Sequence, residues 1–137
     1  VARLGVAYIL MSVKPDLYGM MKAFAEEVQQ LRDLGVKDVI LDPGFGFGKT
    51  LEQNYSIMDS LECLHELELP LLVGISRKSM ISRLLHTDAS GALNGTTALN
   101  TIALLKGASI LRVHDVRECV EAVRIVGAMR ANASGSR

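Results

Sequence analysis

Four short apolar runs, Val6–Met11, Val39–Leu41, Leu71–Ile75 and Ile110–Val113, begin at intervals of roughly 30–40 residues, the length of one βα unit. Each is rich in Val, Ile or Leu and lacks period-two alternation, the pattern of strands covered on both faces of a parallel sheet. Parallel strands need crossovers, and the intervening segments have helical period. Met21, Phe24, Val28 and Leu31 form one stripe, opposite Lys22, Glu26, Glu27, Gln30 and Asp33, with Gly35 as its stop. Ile57, Leu61, Leu64 and Leu67 form a second, ended by Pro70. Thr97–Lys106 is apolar nearly all round, which predicts a well-buried helix closed by Gly107. Val116, Val120, Val123 and Gly127 line a last helix, for which Asp115 and Glu118 make a capping box. A further helical turn is expected over Lys78–Leu85, and the small, polar segment Arg130–Arg137 reads as a frayed tail. The order β-α-β-α-β-α-β-α predicts an α/β fold.

The 137 residues carry 15 Lys+Arg against 15 Asp+Glu. A chain without net charge lacks the electrostatic footprint of a nucleic-acid binder, and no stretch is basic enough for attachment to an anionic membrane. At 49% hydrophobic with three Pro the chain is not a disordered one. No apolar run approaches the roughly 18 residues of a transmembrane helix. No signal-peptide pattern opens the chain and Val1 is not a start methionine, so the chain is expected to begin inside a longer one. Cys63 and Cys119 fall in predicted helices, away from any Cys/His cluster, and read as small buried thiols of a reducing, cytoplasmic compartment. The sequons at Asn54, Asn94 and Asn132 have no other mark of secretion beside them.

The polar and special residues gather just beyond the carboxyl ends of the predicted strands. Ser12-Val13-Lys14 follows the first, Asp42-Pro43-Gly44 the second and Ser76-Arg77-Lys78-Ser79 the third, while Arg112, His114 and Asp115 surround the end of the fourth. In α/β proteins that edge is where loops converge on a shared site. The stretch Asp42–Thr50 ends in Gly48-Lys49-Thr50 but is not a phosphate-binding P-loop, because the position that must be the first Gly is Pro43. A dinucleotide fingerprint begun at Gly44 fails too, its third Gly falling on Lys49. What remains is Gly at alternate positions, a loop able to take positive φ and to approach a ligand closely. Asp42 can accept paired hydrogen bonds from an amidine-like heterocycle edge, or it can cap the turn while Phe45 and Phe47 plug the sheet end. The cations of Ser76-Arg77-Lys78-Ser79 can meet an anion at a helical turn, or form a solvated charge pair with a serine as N-cap. Arg112 and His114 alternate along a strand and point to one side, where they can hold a phosphate or diphosphate, or pair with interior carboxylates.

Three blocks, Leu41-Asp42-Pro43-Gly44-Phe45-Gly46-Phe47-Gly48-Lys49, Leu72-Val73-Gly74-Ile75-Ser76-Arg77-Lys78-Ser79 and Leu111-Arg112-Val113-His114-Asp115, resemble the dihydropteroate synthase family in content, order and separation. Asn94-Gly95-Thr96-Thr97-Ala98 fits the family's small-residue entry to its penultimate helix. The resemblance implies a (β/α)8 TIM barrel that condenses 6-hydroxymethyl-7,8-dihydropterin diphosphate with p-aminobenzoate to 7,8-dihydropteroate, releasing diphosphate with Mg2+ assisting, in a folate-pathway enzyme that sulfonamides target. It implies pterin contacts from Asp42, Lys78, Met11 and Gly74, and a p-aminobenzoate pocket walled by Phe47, Ser76, Arg77 and Lys78, with Gly74 beside it. Arg112 and His114 are implied as diphosphate ligands, and a homodimer is the family expectation.

Two departures accompany the likeness. Where many family members carry His-Met-x-Gly after this strand, the chain reads Met11-Ser12-Val13-Lys14-Pro15. A barrel of this type takes about 250 residues, and the family's magnesium ligand, early flexible loop and several pterin contacts belong to its first four strands. Residues 1–129 are therefore expected to be strands five to eight, a half-barrel of four βα units without a metal ligand, inactive alone. Such a half is expected to self-associate or to pair with the missing amino-terminal half. The competing readings are a methyltetrahydrofolate-binding methyltransferase barrel, which shares an Asp at a strand tip, and a non-catalytic half-barrel assembly module.

Overall fold

Asp16 starts the first crossover, its carboxylate accepting from the Gly19 N–H at 2.7 Å and so satisfying one of the free donors of a helix start. The structure, a computed structural model, describes residues 5–133. Strands β1 (Tyr8–Met11), β2 (Val39–Asp42), β3 (Leu72–Val73) and β4 (Ile110–Leu111) alternate with helices α1 (Leu17–Asp33), α2 (Leu51–Asp59), α3 (Ser79–Leu85), α4 (Leu93–Leu105) and α5 (Val116–Ala131). All strand pairings among the described residues are parallel. β1 pairs with β2 from Tyr8↔Val39 to Met11↔Asp42, and β3 with β4 at Leu72↔Ile110 and Val73↔Leu111. A single parallel bridge, Leu41↔Leu71, joins the two ladders, with the Leu41 N–H donating to the Pro70 carbonyl at 2.9 Å.

The core lies between this ladder and the helices on its outer side. Phe24 and Met20 of α1 meet Leu41, Val73 and Ile75 from the strands and their ends, together with Ile57, Leu61 and Leu64. Each such side chain, fully withdrawn from water, stabilises the fold by about 1.5–3 kcal/mol.

β1, β3 and β4 are shorter than their apolar runs while β2 extends one residue beyond its own, to Asp42, and among the described strands only the middle two are covered on both faces. Ile9 of β1 remains 47% exposed and Ile110 of β4 38%; each of these strands has one neighbour among the described residues. On α1 the fully buried methionine is Met20, one position before the predicted Met21, because Met20, Phe24 and Val28 hold a strict i, i+4, i+8 row. The second helix stops at Asp59, and Leu61, Leu64 and Leu67 continue as a 3₁₀ segment, Leu61–Leu67. Their three-residue spacing matches three residues per turn, which stacks them on one side. α4 is not buried all round, since Ile102 and Leu105 face outward.

The last helix packs through a different stripe. Cys119, Ala122 and Val126 are buried, Ala122 and Val126 against Leu104 of α4, whereas Val116, Val120 and Val123 are exposed. Its predicted capping box is absent: the Asp115 side chain makes no cap bond, because both carboxylate oxygens are held by Arg77. Nor does the tail begin at Arg130, which lies in α5 and donates to the Leu104 carbonyl at 2.8 Å; residues 134–137 lie outside those described. Asn54 of the first sequon is buried, and both cysteines are free thiols, Cys63 half-buried and Cys119 buried. No helix among the described residues is long and apolar enough to cross a membrane.

Candidate active site

The carboxyl ends of all four strands open to one side, and the special residues gather there. β2 ends at Asp42, which is 2% exposed and is the register partner of Met11. One carboxylate oxygen accepts from the Gly44 N–H at 2.9 Å and the other from the Arg112 guanidinium at 2.8 Å. The turn-capping reading of Asp42 is therefore seen directly. The carboxylate caps the turn with one oxygen and presents the other to the site, where Arg112 meets it.

The glycine loop takes the predicted shape, with positive φ at Gly44, Gly46 and Gly48. A side chain on Gly44 would overlap the Ser12 carbonyl oxygen, so only glycine lets this turn lie against the loop after β1. Phe45 is fully buried and plugs the sheet end, but Phe47 is 46% exposed. The loop is held from both sides: Asn54 of α2 accepts from the Gly46 N–H at 2.8 Å, and Lys49 donates to three carbonyls, those of Gly44 (2.9 Å), Phe47 (3.1 Å) and Ser12 (3.3 Å). Thr50 then caps α2 in a reciprocal box with Gln53.

After β3, Ser76 and Lys78 lead into α3. Lys78 donates to the Phe45 carbonyl at 2.7 Å and its ammonium stands 4.8 Å from the Phe47 ring centroid, a cation–π distance. Burial pushes the Lys78 ammonium below its usual range, as does the nearby Arg112, while the Asp42 charge pulls it back up. Arg77 adopts a left-handed φ of 53°. Its N–H donates to Thr96 at 3.0 Å and its guanidinium forms a two-point pair with Asp115, at 2.7 and 3.0 Å. That pairing holds the Asp115 carboxyl below its usual value, chiefly through the Arg77 hydrogen bond.

β4 ends before Arg112, which crosses the face of Gly74: a β-carbon there would sit 3.1 Å from two guanidinium nitrogens. The His114 N–H donates to Ser76 Oγ at 3.1 Å. Gly74, Ser76, Lys78, Arg112, Val113 and His114 line a pocket of about 100 Å³, with Asp42 beside it through Arg112. The structure therefore brings Met11, Asp42, Phe47, Gly74, Ser76, Lys78, Arg112 and His114 to one edge. Arg77 is there as well, but its guanidinium is spent on Asp115.

Sequence reasoning passed over Lys49, Asn54 and Thr96 as builders of this edge, and placed Asp115 there without its partner Arg77. Lys49 carried a signal, its place in Gly-Lys-Thr, but the ammonium points at backbone carbonyls rather than toward the pocket. No three His, Cys, Asp or Glu side chains come together as a metal site among the described residues. Asp42, whose oxygens already have two donors, does not supply a ligand set for Mg2+.

The chain spans 38% of the length of the Escherichia coli K12 dihydropteroate synthase, to which it is 50% identical over 107 residues, 77% of this chain. Among solved structures it matches a Yersinia pestis dihydropteroate synthase holding a pterine-sulfa conjugate, at 40% identity and a TM-score of 0.93 over 96% of this chain and 55% of that one. A Xanthomonas albilineans dihydropteroate synthase with 4-aminobenzoic acid matches at 31% identity and a TM-score of 0.91, over 96% and 52%. The α/β fold is thus that of TIM-barrel-type enzymes. The family model described as pterin binding enzyme matches residues 1–114, which takes in every strand and every residue of the pocket. The chain belongs to the pterin binding enzyme family.

Proposed function

We propose that this chain supplies the carboxyl-terminal half of a dihydropteroate synthase site, joining p-aminobenzoate to 6-hydroxymethyl-7,8-dihydropterin diphosphate with release of diphosphate. One observation carries the reading: the buried Asp42 carboxylate and the cations Lys78 and Arg112 converge on one pocket edge in a chain of this family. The four parallel strands, and a length of about half that of the solved relatives, support the reading of the chain as strands five to eight of an eightfold barrel.

The reaction separates charge. The bond between the pterin methylene carbon and the diphosphate oxygen breaks, its electron pair leaving with the oxygen. The arylamine lone pair then forms the new C–N bond, and the nitrogen releases a proton. On this reading Asp42 accepts from the amidine-like edge of the pterin and orients the ring, while Lys78 donates to the ring from its other side. Met11 and Gly74 border the ring. Arg112 and His114 meet the diphosphate, stabilising negative charge as it develops. Phe47, Ser76, Arg77 and Lys78 wall the arylamine's approach, Arg77 with its backbone and stem because Asp115 takes its charge. The arylamine needs only to be held in place. Magnesium, on this reading, is held by groups other than the side chains described.

The half-barrel alone is inactive on this reading, and the single-neighbour strands β1 and β4 favour pairing with a second half or with another copy. A cytoplasmic homodimer is proposed for the whole enzyme. Calorimetry with 6-hydroxymethyl-7,8-dihydropterin diphosphate, beside a turnover assay of the purified chain, tests the reading. Binding without turnover is expected. Absence of binding overturns the assignment of the pterin site, and turnover at the rate of whole relatives overturns the claim of inactivity.

A further inference from the structure

We propose that Lys49 is a positioning residue: its ammonium, caged by main-chain carbonyls, clamps the glycine loop so that the Phe45 carbonyl and Phe47 ring hold Lys78 in the site. The proposal rests on the pterin-site reading for its binding consequence but not for its structural one.

An ammonium has three protons and accepts nothing. Lys49 finds three acceptors, the carbonyls of Ser12, Gly44 and Phe47, at 2.9–3.3 Å. These come from two different loops, the one after β1 and the one after β2, so one side chain ties the ends of neighbouring strands. The loop it ties has one deep side-chain anchor, the fully buried Phe45 ring, and few bonds on either side of it. Three of its residues are glycines with positive φ, which bring no side chains to pack and the largest conformational entropy to lose. Its other fastenings are the Asp42 cap on Gly44, the Asn54 bond to Gly46 and the turn bond from the Phe47 N–H to the Gly44 carbonyl at 3.0 Å.

Lys49 reaches Lys78 through the loop rather than by contact. Two of its acceptors, the Gly44 and Phe47 carbonyls, flank Phe45 and Gly46. The Phe45 carbonyl accepts from Lys78 at 2.7 Å, and the Phe47 ring lies 4.8 Å from the same ammonium. Loss of the clamp frees both at once. Burial pushes the Lys49 ammonium below its usual range, opposed by the nearby Asp42 carboxylate, and the carbonyls it meets replace part of the water it has lost. Like charges on Lys49 and Lys78 would drift apart in a loose loop, and the carbonyl cage keeps Lys49 turned away from the pocket.

The test uses Lys49→Met, which keeps the stem and removes the donors, Lys49→Arg, which restores donors, and Lys49→Ala with ethylammonium or tetramethylammonium added. The first readout needs no ligand: amide exchange across Gly44–Gly48 and the labelling rate of the Lys78 amine. Lys49→Met is expected to speed exchange in that loop about tenfold or more, the effect of removing hydrogen bonds to a charged group. Exchange in α1 and α4 should stay unchanged, while the Lys78 labelling rate shifts. Lys49→Arg and ethylammonium should restore slow exchange, and tetramethylammonium, which has no proton to donate, should not. The second readout is affinity for 6-hydroxymethyl-7,8-dihydropterin diphosphate, expected to fall about tenfold in Lys49→Met and to return with the donors. Loop exchange and Lys78 labelling equal to wild type in Lys49→Met overturn the proposal. If Lys49→Met unfolds throughout, Lys49→Ala decides it: equal protection with ethylammonium and tetramethylammonium overturns it. Failure of the unsubstituted chain to bind the pterin diphosphate overturns the pterin-site reading instead, and the exchange measurements still judge the clamp.

Discussion

Arg112 Nη2 and Asp42 Oδ2, 70 residues apart in sequence, meet at 2.8 Å across the carboxyl edge of the sheet. The partners differ in freedom: the Asp42 side chain is 3% exposed and the Arg112 side chain 56%. A ligand donor that takes the lone pair Arg112 now uses displaces the arginine, and the arginine has room to move. An anionic group on the same ligand gives it somewhere to go.

That exchange predicts effects of opposite sign. Arg112→Met should weaken binding of the pterin diphosphate about tenfold, because a charge-assisted contact to the anion is lost. The same substitution should tighten binding of 6-hydroxymethyl-7,8-dihydropterin, which has no diphosphate and must otherwise compete with Arg112 for Asp42. Calorimetry with both ligands on both proteins measures it; a change of the same sign for the two would refute partner exchange.

Asp42→Asn separates the two duties of the carboxylate. An asparagine oxygen can still accept from the Gly44 N–H, so the turn is kept and the thermal midpoint should move little. One acceptor facing the site becomes a donor aimed at Arg112 and, on the proposed function, at the pterin edge. Pterin diphosphate affinity should fall at least about tenfold. A large loss of thermal stability with affinity intact would make Asp42 a structural cap alone.

Gly44→Ala should be among the more costly single changes in the chain. Its φ of 66° disfavours any side chain, and the added carbon overlaps the Ser12 carbonyl oxygen. The left-handed conformation alone costs roughly 1–2 kcal/mol, and forcing β1's loop away adds to it, so a loss of about 3 kcal/mol is expected in denaturant titration. A loss below about 1 kcal/mol would mean the two loops separate freely.

The Arg77–Asp115 pair has a pH signature. Asp115 titrates below its ordinary value of 3.8, mainly because Arg77 donates to it. A carboxylate with a lowered pKa in the fold stabilises above its unfolded value, and loses that contribution as pH falls through the folded one. Asp115→Asn should thus be less stable than the unsubstituted chain near neutral pH, with the gap closing below about pH 3.8. Denaturant titrations at neutral pH and at successively lower pH compare the two; a gap that does not narrow at all as the pH falls would assign the loss to packing rather than to charge.

Much of this was legible in the residues. The four apolar runs at regular spacing mark four βα units, since a parallel strand cannot return without a crossover, and the alternate glycines mark a loop of positive φ. The residues past each strand end mark the site edge, because in such folds that edge is where loops meet. The motif blocks point to the pterin family, which spacing alone did not reach.

Other choices belong to the tertiary structure. α5 carries two apolar stripes, Val116-Val120-Val123 and Cys119-Ala122-Val126, and its helical period is the same for both. Leu104 of α4 selects the second by packing against it. Asp115 looks like a helix cap to any local reading, and becomes an ion-pair partner because the fold brings Arg77 to it from 38 residues away. Lys49 has no role that local sequence assigns once the P-loop pattern fails, and it takes one because the Ser12 carbonyl arrives from the neighbouring strand. Local sequence determines where chain segments can bend, and which faces avoid water, because those preferences act over a few residues. Which of several equivalent partners a side chain takes is decided only when distant segments meet, since each candidate bond contributes about the same energy until geometry removes all but one.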